Sequence, residues 1–152
     1  MLNKTPPLPI MDTVNPQLCI NSKLRKLARI TTHIYERNFK EFELRSSQVS
    51  ILLMIGKMGN ANQKEVADFL YIDYSTMSRD LNKLKEREII KITKGSDARH
   101  SLLELTSKGR DLMNRLVPVW KITNDEITAT VGSYSVGNIN MITEALLQHT
   151  PR

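Results

Sequence analysis

Residues 62–106 read NQKEVADFLYIDYSTMSRDLNKLKEREIIKITKGSDARHSLLELT. Asn62 is placed to cap a first helix, with Glu65 three residues on completing a capping-box pattern. Val66, Phe69 and Leu70 give that helix a face to bury. Only Tyr71-Ile72 separates it from Asp73, a second cap whose carboxylate can accept from the free amides of the next turn. The helix that follows, Tyr74 to about Arg87, repeats Met77, Leu81 and Leu84 at i, i+4 and i+7, which places them on one buried face. Its other face presents Ser75, Arg79, Asn82 and Lys83, short polar or cationic groups able to reach base edges and phosphates. Ile89–Lys94 and Ser101–Thr106 then alternate apolar and polar residues around Gly95-Ser96-Asp97-Ala98, the pattern of a hairpin with a loop several residues long. Together these signals predict a helix-turn-helix followed by a β-wing, an arrangement suited to double-stranded DNA.

On the N-terminal side, residues 1–16 hold four of the six prolines and predict an arm rather than part of the core. A long helix is expected from about Gln17 to Phe42, nearly 40 Å at 1.5 Å per residue. Leu24, Leu27, Ile30 and Ile34 form its stripe, and Lys23, Arg25, Lys26 and Arg29 read as a solvated face. Ser46 or Ser47 can cap the next helix, which runs to Gly59 and offers Val49, Leu52, Leu53 and Met58 to the core. Beyond the hairpin, helices are expected over Ser107–Val131 and, after Gly132, over Ser135–His149. Pro118 should kink the first of them. Leu112, Leu116, Val119, Trp120 and Ile127 form one stripe; Ile139, Ile142 and Leu146 form another. The expected fold is mainly α with a small β-wing. A winged helix-turn-helix lobe over 46–106 is flanked by dimerisation helices over 17–45 and 107–149, in one domain of residues 17–152. The outer helices extend beyond what a compact lobe can cover, and a homodimer matches two-fold symmetric DNA.

The 152 residues carry a net charge of +6 and a pI near 9.5, which suits a polyanionic partner. The surplus is not on the reading head. Residues 1–45 hold eight Lys and Arg against four Asp and Glu, whereas 62–109 hold nine against eight. Aromatic residues are 5%, too few for a platform that stacks single strands. A single cysteine, Cys19, excludes an internal disulfide framework and fits a reducing compartment. No apolar run reaches the roughly 18–20 residues of a membrane span, and the N-terminus lacks the apolar stretch of a signal peptide. The expected location is the cytoplasm, with no membrane partner.

The order of elements and two local patterns resemble the MarR family of winged-helix transcription regulators. Asp73-Tyr74-Ser75-Thr76-Met77-Ser78-Arg79-Asp80-Leu81 is similar to that family's recognition helix, an acidic cap followed by small hydroxyl residues and an arginine. Asp97-Ala98-Arg99-His100, continuing to Leu105-Thr106 and Lys108-Gly109, is similar to its wing, the more specific of the two matches. The resemblance implies a dimeric repressor or activator, with repression the expected action, bound to a pseudo-palindromic operator and modulated by a small-molecule effector. Recognition helices would enter successive major grooves through Ser75, Thr76, Ser78, Arg79, Asn82 and Lys83. Arg99 of each wing would reach a minor groove, oriented by Asp97, with His100 beside it near phosphate. Asp80 departs from many relatives; it could accept from a cytosine amino group or pair with Lys83 or Lys64, and the ion pair is its expected role.

Enzyme chemistry finds no support. Gly56-Lys57 lacks the upstream glycine of a phosphate loop, and the three histidines are scattered without zinc spacing. No catalytic residue, metal or cofactor is expected. Two alternatives from other classes stand beside the DNA-binding regulator. One is a winged-helix protein-interaction module, against which the cations at Arg79, Lys83 and Arg99 argue. The other is a redox sensor acting through Cys19, set against the expectation of a buried structural thiol.

Overall fold

The structure, a computed structural model, describes residues 8–94 and 101–149. The expected wing-tip residues Asp97, Arg99 and His100 lie outside the described residues. Two compact units divide the chain, residues 1–34 and 35–152. In the first, Pro9–Thr13 and Pro16–Leu18 form two fully exposed 3-10 turns. Asn15 caps the second turn by accepting from the Gln17 amide at 3.0 Å. Helix α1 therefore starts at Ile20, not at Gln17, and runs to Asn38. At 19 residues it is about 28 Å long.

The expected continuation of α1 to Phe42 is replaced by another 3-10 turn, Lys40–Phe42, and by Glu43 in the left-handed region at φ 52°. Two forces act there. Phe39, Phe42 and Leu44 are pulled into the core, and the Arg87 guanidinium donates to the carbonyls of Glu43 at 2.7 Å and Phe42 at 3.0 Å.

Helix α2, Ser46–Met58, is capped by neither Ser46 nor Ser47, since both lie within it. The Gln48 side chain accepts from the Arg45 amide at 3.1 Å, and the Glu36 carboxylate accepts from the Ser46 amide at 3.3 Å. Val49, Ile51, Leu52 and Ile55 are buried in the centre of the core. Leu53 is half-buried, whereas Met58, expected in the core, is exposed on the last turn. Gly59, at φ 77°, ends the helix as expected.

A two-residue strand β1, Ala61–Asn62, precedes α3, Gln63–Leu70. Asn62 caps α3 by accepting from the Lys64 amide at 2.8 Å. Val66 and Ala67 are buried and Leu70 half-buried, but Phe69 is 71% exposed. At 100° per residue it lies well off the face that Val66, Ala67 and Leu70 define. Tyr71, left-handed at φ 52°, closes α3 through its amide on the Ala67 and Asp68 carbonyls, and Ile72 bonds back to Ala67. Helix α4 then spans Tyr74–Glu86 and buries Met77, Asp80, Leu81 and Leu84.

Strands β2, Ile90–Lys94, and β3, Ser101–Leu105, pair antiparallel from Ile90 opposite Leu105 to Lys94 opposite Ser101. Lys91 and Glu104 face each other in an ion pair at 2.7 Å. On its other edge β3 pairs with β1, giving a three-stranded sheet of order β1-β3-β2. Helix α5, Ser107–Val131, continues through Pro118. Helix α6, Ser133–His149, starts immediately after Gly132, two residues earlier than expected. Leu112 and Leu116 are buried, Val119, Trp120 and Ile127 half-buried, and Ile139, Ile142 and Leu146 exposed.

Thr106 and Gly109 join α5 to the sheet. The Thr106 hydroxyl accepts from the Gly109 amide at 3.0 Å, while it and the Thr106 amide donate to the Ile89 carbonyl at 3.2 and 3.1 Å. A Cβ on Gly109 would sit 2.1 Å from the Ile89 carbonyl oxygen. No substituent fits without moving backbone. Gly109→Ala should therefore destabilise the protein by about 3 kcal/mol, the upper end for overpacking, read as a fall in the urea midpoint. A midpoint equal to the parent's would show that α5 can slide away freely.

Asp73 caps α4 by accepting from the Thr76 amide at 2.9 Å and from the hydroxyls of Ser75 and Thr76. The Ser75 hydroxyl, then the hydroxyl and amide of Thr76, hold this carboxyl well below the usual range. A carboxyl depressed on folding contributes stability that is complete above its unfolded pKa, near 4, and that is lost as the pH falls below it. Asp73→Ala should lower the urea midpoint at neutral pH, and the two midpoints should converge below about pH 4. A gap that widens on acidification would contradict this account.

Candidate nucleic-acid interface

The exposed face of α4 is set by what its other face buries. Met77, Leu81 and Leu84 have relative exposures of 0, 1 and 0%, which fixes the rotation of the helix about its axis. Of the six residues expected to touch DNA on this helix, Ser75, Arg79, Asn82 and Lys83 are exposed, and Thr76 and Ser78 are half-buried at the margin. Ser75, Arg79 and Asn82 recur at i, i+4 and i+7, so they form one row, with Lys83 beside it. The Arg79 Nε donates to the Ser75 carbonyl one turn back at 3.3 Å. A guanidinium carries five donors, so four remain for other partners.

Asp80 corrects an expectation. It falls three residues after Met77 and four before Leu84, inside the buried stripe, and is 7% exposed. An exposed ion pair or a cytosine contact does not describe it. Lys64, one of the two cations expected to pair with it, instead holds Asp68 at 2.6 Å.

Two aromatic residues near the start of α4 are exposed, Phe69 against expectation and Tyr74 without any reading of its burial. Tyr74, the first residue of the helix, is 70% exposed, and Phe69 is 71% exposed on α3. Periodicity points the wrong way for Tyr74: it stands three residues before Met77 and seven before Leu81, which assigns it to the buried stripe. A first-turn position has no preceding turn to pack against, and that is the signal the periodicity misses. Asp73 was recognised as a cap, but its three bonds to Ser75 and Thr76 tie it to the interface itself.

Cys19 also departs from expectation. It is exposed rather than buried, immediately before the first residue of α1. Its thiol is lowered from the ordinary value by a hydrogen bond from the Ser22 hydroxyl and by the amides of Ser22 and Asn21. Among the described residues no group of three or more His, Cys, Asp or Glu could hold a metal ion, and no helix is long and apolar enough to cross a membrane.

Comparison with known proteins agrees with this geometry. The family model described as "MarR family" matches residues 44–101, from the end of the Lys40–Phe42 turn to the start of β3. An uncharacterised HTH-type transcriptional regulator, YxaD of Bacillus subtilis, is 29% identical over 104 residues, which is 68% of this chain and 73% of YxaD. The crystal structure of the transcriptional regulator MosR of M. tuberculosis in complex with DNA superposes with a TM-score of 0.72 at 28% identity, covering 84% of this chain and 98% of MosR. A structure of BpsR of Bordetella bronchiseptica, whose DNA binding is regulated by 6-hydroxynicotinic acid, superposes with a TM-score of 0.76 at 19% identity, covering 88% of this chain and 96% of BpsR. With the recognition helix, the paired wing strands and the Thr106–Gly109 joint all in place, residues 44–101 carry a MarR-family winged-helix domain, and the chain is similar to DNA-binding transcriptional regulators of that family.

Proposed function

We propose that this regulator is a repressor that binds a pseudo-palindromic operator as a homodimer and is modulated by a small-molecule effector. The observation that carries it is the row of Ser75, Arg79 and Asn82, with Lys83 beside it, held outward by a fully buried opposite face. A helix anchored in this way can lie in a major groove with its first residues at base edges. Arg79 is assigned to a base edge and Lys83 to phosphate. Ser78 and Asn82 supplement them. Arg99, with Asp97 and His100, is assigned to the wing's minor-groove contact. Repression is the simplest action of such a dimer, because a protein filling the grooves of a promoter excludes others from it without needing further contacts. The likeness to BpsR supports the effector.

The homodimer is supported by apolar stripes that a single chain leaves in water. In the first unit Ile20, Leu24, Leu27 and Ile30 are 36–60% exposed. In the second, Ile139, Ile142 and Leu146 on α6 are 40–49% exposed. In the domain reading, residues 1–16 form an arm, and the helices on either side of the 46–106 lobe hold the dimer. Deleting residues 133–152 should convert the dimer to monomer or aggregate, seen by sedimentation. A full-length chain that sediments as a monomer at micromolar concentration would rule out the dimeric operator.

Selection of sites from random duplex DNA, followed by affinity measured across salt, tests the DNA reading itself. Arg79→Ala should cost about 1–3 kcal/mol on the selected site and flatten one base position per half-site. Arg99→Ala should weaken every duplex by a similar factor and lower the salt slope by about one unit per wing. Equal affinity for selected and random duplex would instead favour a winged-helix interaction module.

The redox alternative has one observation in its favour, the exposure of Cys19 at the start of α1 with a depressed thiol. Cys19→Ser separates the two. Retained DNA binding with an unchanged response to organic hydroperoxide supports the effector-regulated form, and loss of that response supports the sensor.

A further inference from the structure

We infer that Asp73 sets the hydrogen-bond polarity of Ser75 and Thr76, making both hydroxyls acceptors only, so that the first turn of α4 reads which strand of a base pair carries the exocyclic amino group. The inference rests on the reading that α4 enters the major groove, and adds to it the rule by which two residues would discriminate.

A serine or threonine hydroxyl has one proton to donate and two lone pairs to accept with. The Ser75 Oγ lies 2.5 Å from Asp73 Oδ1, and the Thr76 Oγ1 lies 2.6 Å from Asp73 Oδ2. An ionised carboxylate has no proton to give, so the direction of both bonds is fixed. The same carboxylate takes the Thr76 amide at 2.9 Å, which binds it to the backbone of the turn it polarises. Each hydroxyl has its single proton committed inward and keeps only lone pairs for an outside partner. Ser75 is exposed and Thr76 half-buried, so Ser75 is the more accessible of the two.

In the major groove the available donors are the N6 amino group of adenine and the N4 amino group of cytosine. Guanine O6 and thymine O4 accept. Each base pair carries one amino group there, on one strand. A hydroxyl that can only accept therefore favours adenine or cytosine over guanine or thymine at its position, without separating adenine from cytosine. It also cannot donate to a phosphate, and the Asp73 charge beside it repels one. Ser75 and Thr76 thus join Arg79 in base reading, and phosphate anchoring falls to Lys83.

Site selection with four proteins tests this: the parent, Ser75→Ala, Thr76→Val and Asp73→Asn, each first checked for folding by thermal melting. The parent should show at least one position per half-site with amino bases preferred over keto bases, by about five- to tenfold for one neutral hydrogen bond. Ser75→Ala or Thr76→Val should level that position. Asparagine caps a helix as well as aspartate does, but it replaces one acceptor oxygen with a donor nitrogen. The hydroxyl facing that nitrogen regains a free proton, so in Asp73→Asn its position should shift towards guanine or thymine. A cap with no role beyond structure would lower affinity for all sites and leave the preferred bases alone. Selective binding by the parent with no amino-over-keto position, or an Asp73→Asn protein with the parent's preference, overturns the inference while the DNA reading stands. Failure of the parent to bind selected duplex removes both.

Discussion

The Ile89 carbonyl fixes how the recognition helix, the sheet and the long C-terminal helix meet. It accepts from both the amide and the hydroxyl of Thr106, and the α-carbon of Gly109 packs so close that a Cβ would have no room. Ile89 follows α4 by three residues, its own amide donating to the Leu84 carbonyl in the last turn of that helix. The end of the recognition helix, the start of β2 and the first turn of α5 therefore share one hydrogen-bonded joint. The Thr106 hydroxyl shares its one proton with the nearer Glu88 carbonyl, to which it donates at 2.6 Å, and Glu88 sits in the left-handed region at φ 58°. A non-glycine residue held there costs of order 1–3 kcal/mol, so a strained residue is kept in place by the same threonine. Any force that tilts α5 acts on α4 through this joint and not only through side-chain packing.

A second polar link lies at the other end of the second unit. The Tyr35 hydroxyl donates to Asn124 at 3.1 Å, and Asn38 donates to the buried Thr123 hydroxyl at 2.9 Å. Thr123 passes its proton to the Val119 carbonyl one turn earlier, so the pair is satisfied in both directions. Burial raises the Tyr35 phenol above its ordinary value and keeps it a donor. The last turn of α1 is thus bonded to the middle of α5 by directional contacts. Bonds of this kind tolerate rotation less than apolar packing does.

Much of this was legible in the sequence, and what was not has physical reasons. Asn62 and Asp73 announce helix starts because a short acceptor side chain before an apolar period has few other uses. The buried stripe of α4 was readable because three large residues repeat at helical spacing. Asp80 was not, because its charge argues for the surface while its position places it in the stripe, and position decides. Ser46 and Ser47 looked like caps, yet both lie within the helix, and Glu36 takes the Ser46 amide from ten residues earlier, a tertiary contact that no local pattern records. Strand β1 is two residues long, too short to show any alternation, and exists because β3 offers it an edge. Phe69 and Met58 looked like core residues on composition alone; each sits at a helix end whose inward face was already filled.

The modest charge of the reading head bears on how such a protein can be selective. With Lys and Arg barely outnumbering Asp and Glu over residues 62–109, non-specific attraction to phosphate is weak there, and Asp73 weakens it further at the helix start. Discrimination then depends on a few directed contacts per head, each worth about 1–3 kcal/mol at best. One head of this kind covers only the lower part of the roughly 4–10 kcal/mol by which specific sites outcompete random DNA. Two identical heads, rigidly spaced, double the directed contacts with no new chemistry, because the second engages as an intramolecular event. The chain leaves apolar stripes in water on α1 and α6, an arrangement with a cost for a monomer and a use for a dimer. In the proposed homodimer, a weakly charged recognition surface and exposed apolar helices would have one explanation in common: selectivity divided between two copies and held together by the helices outside the winged lobe.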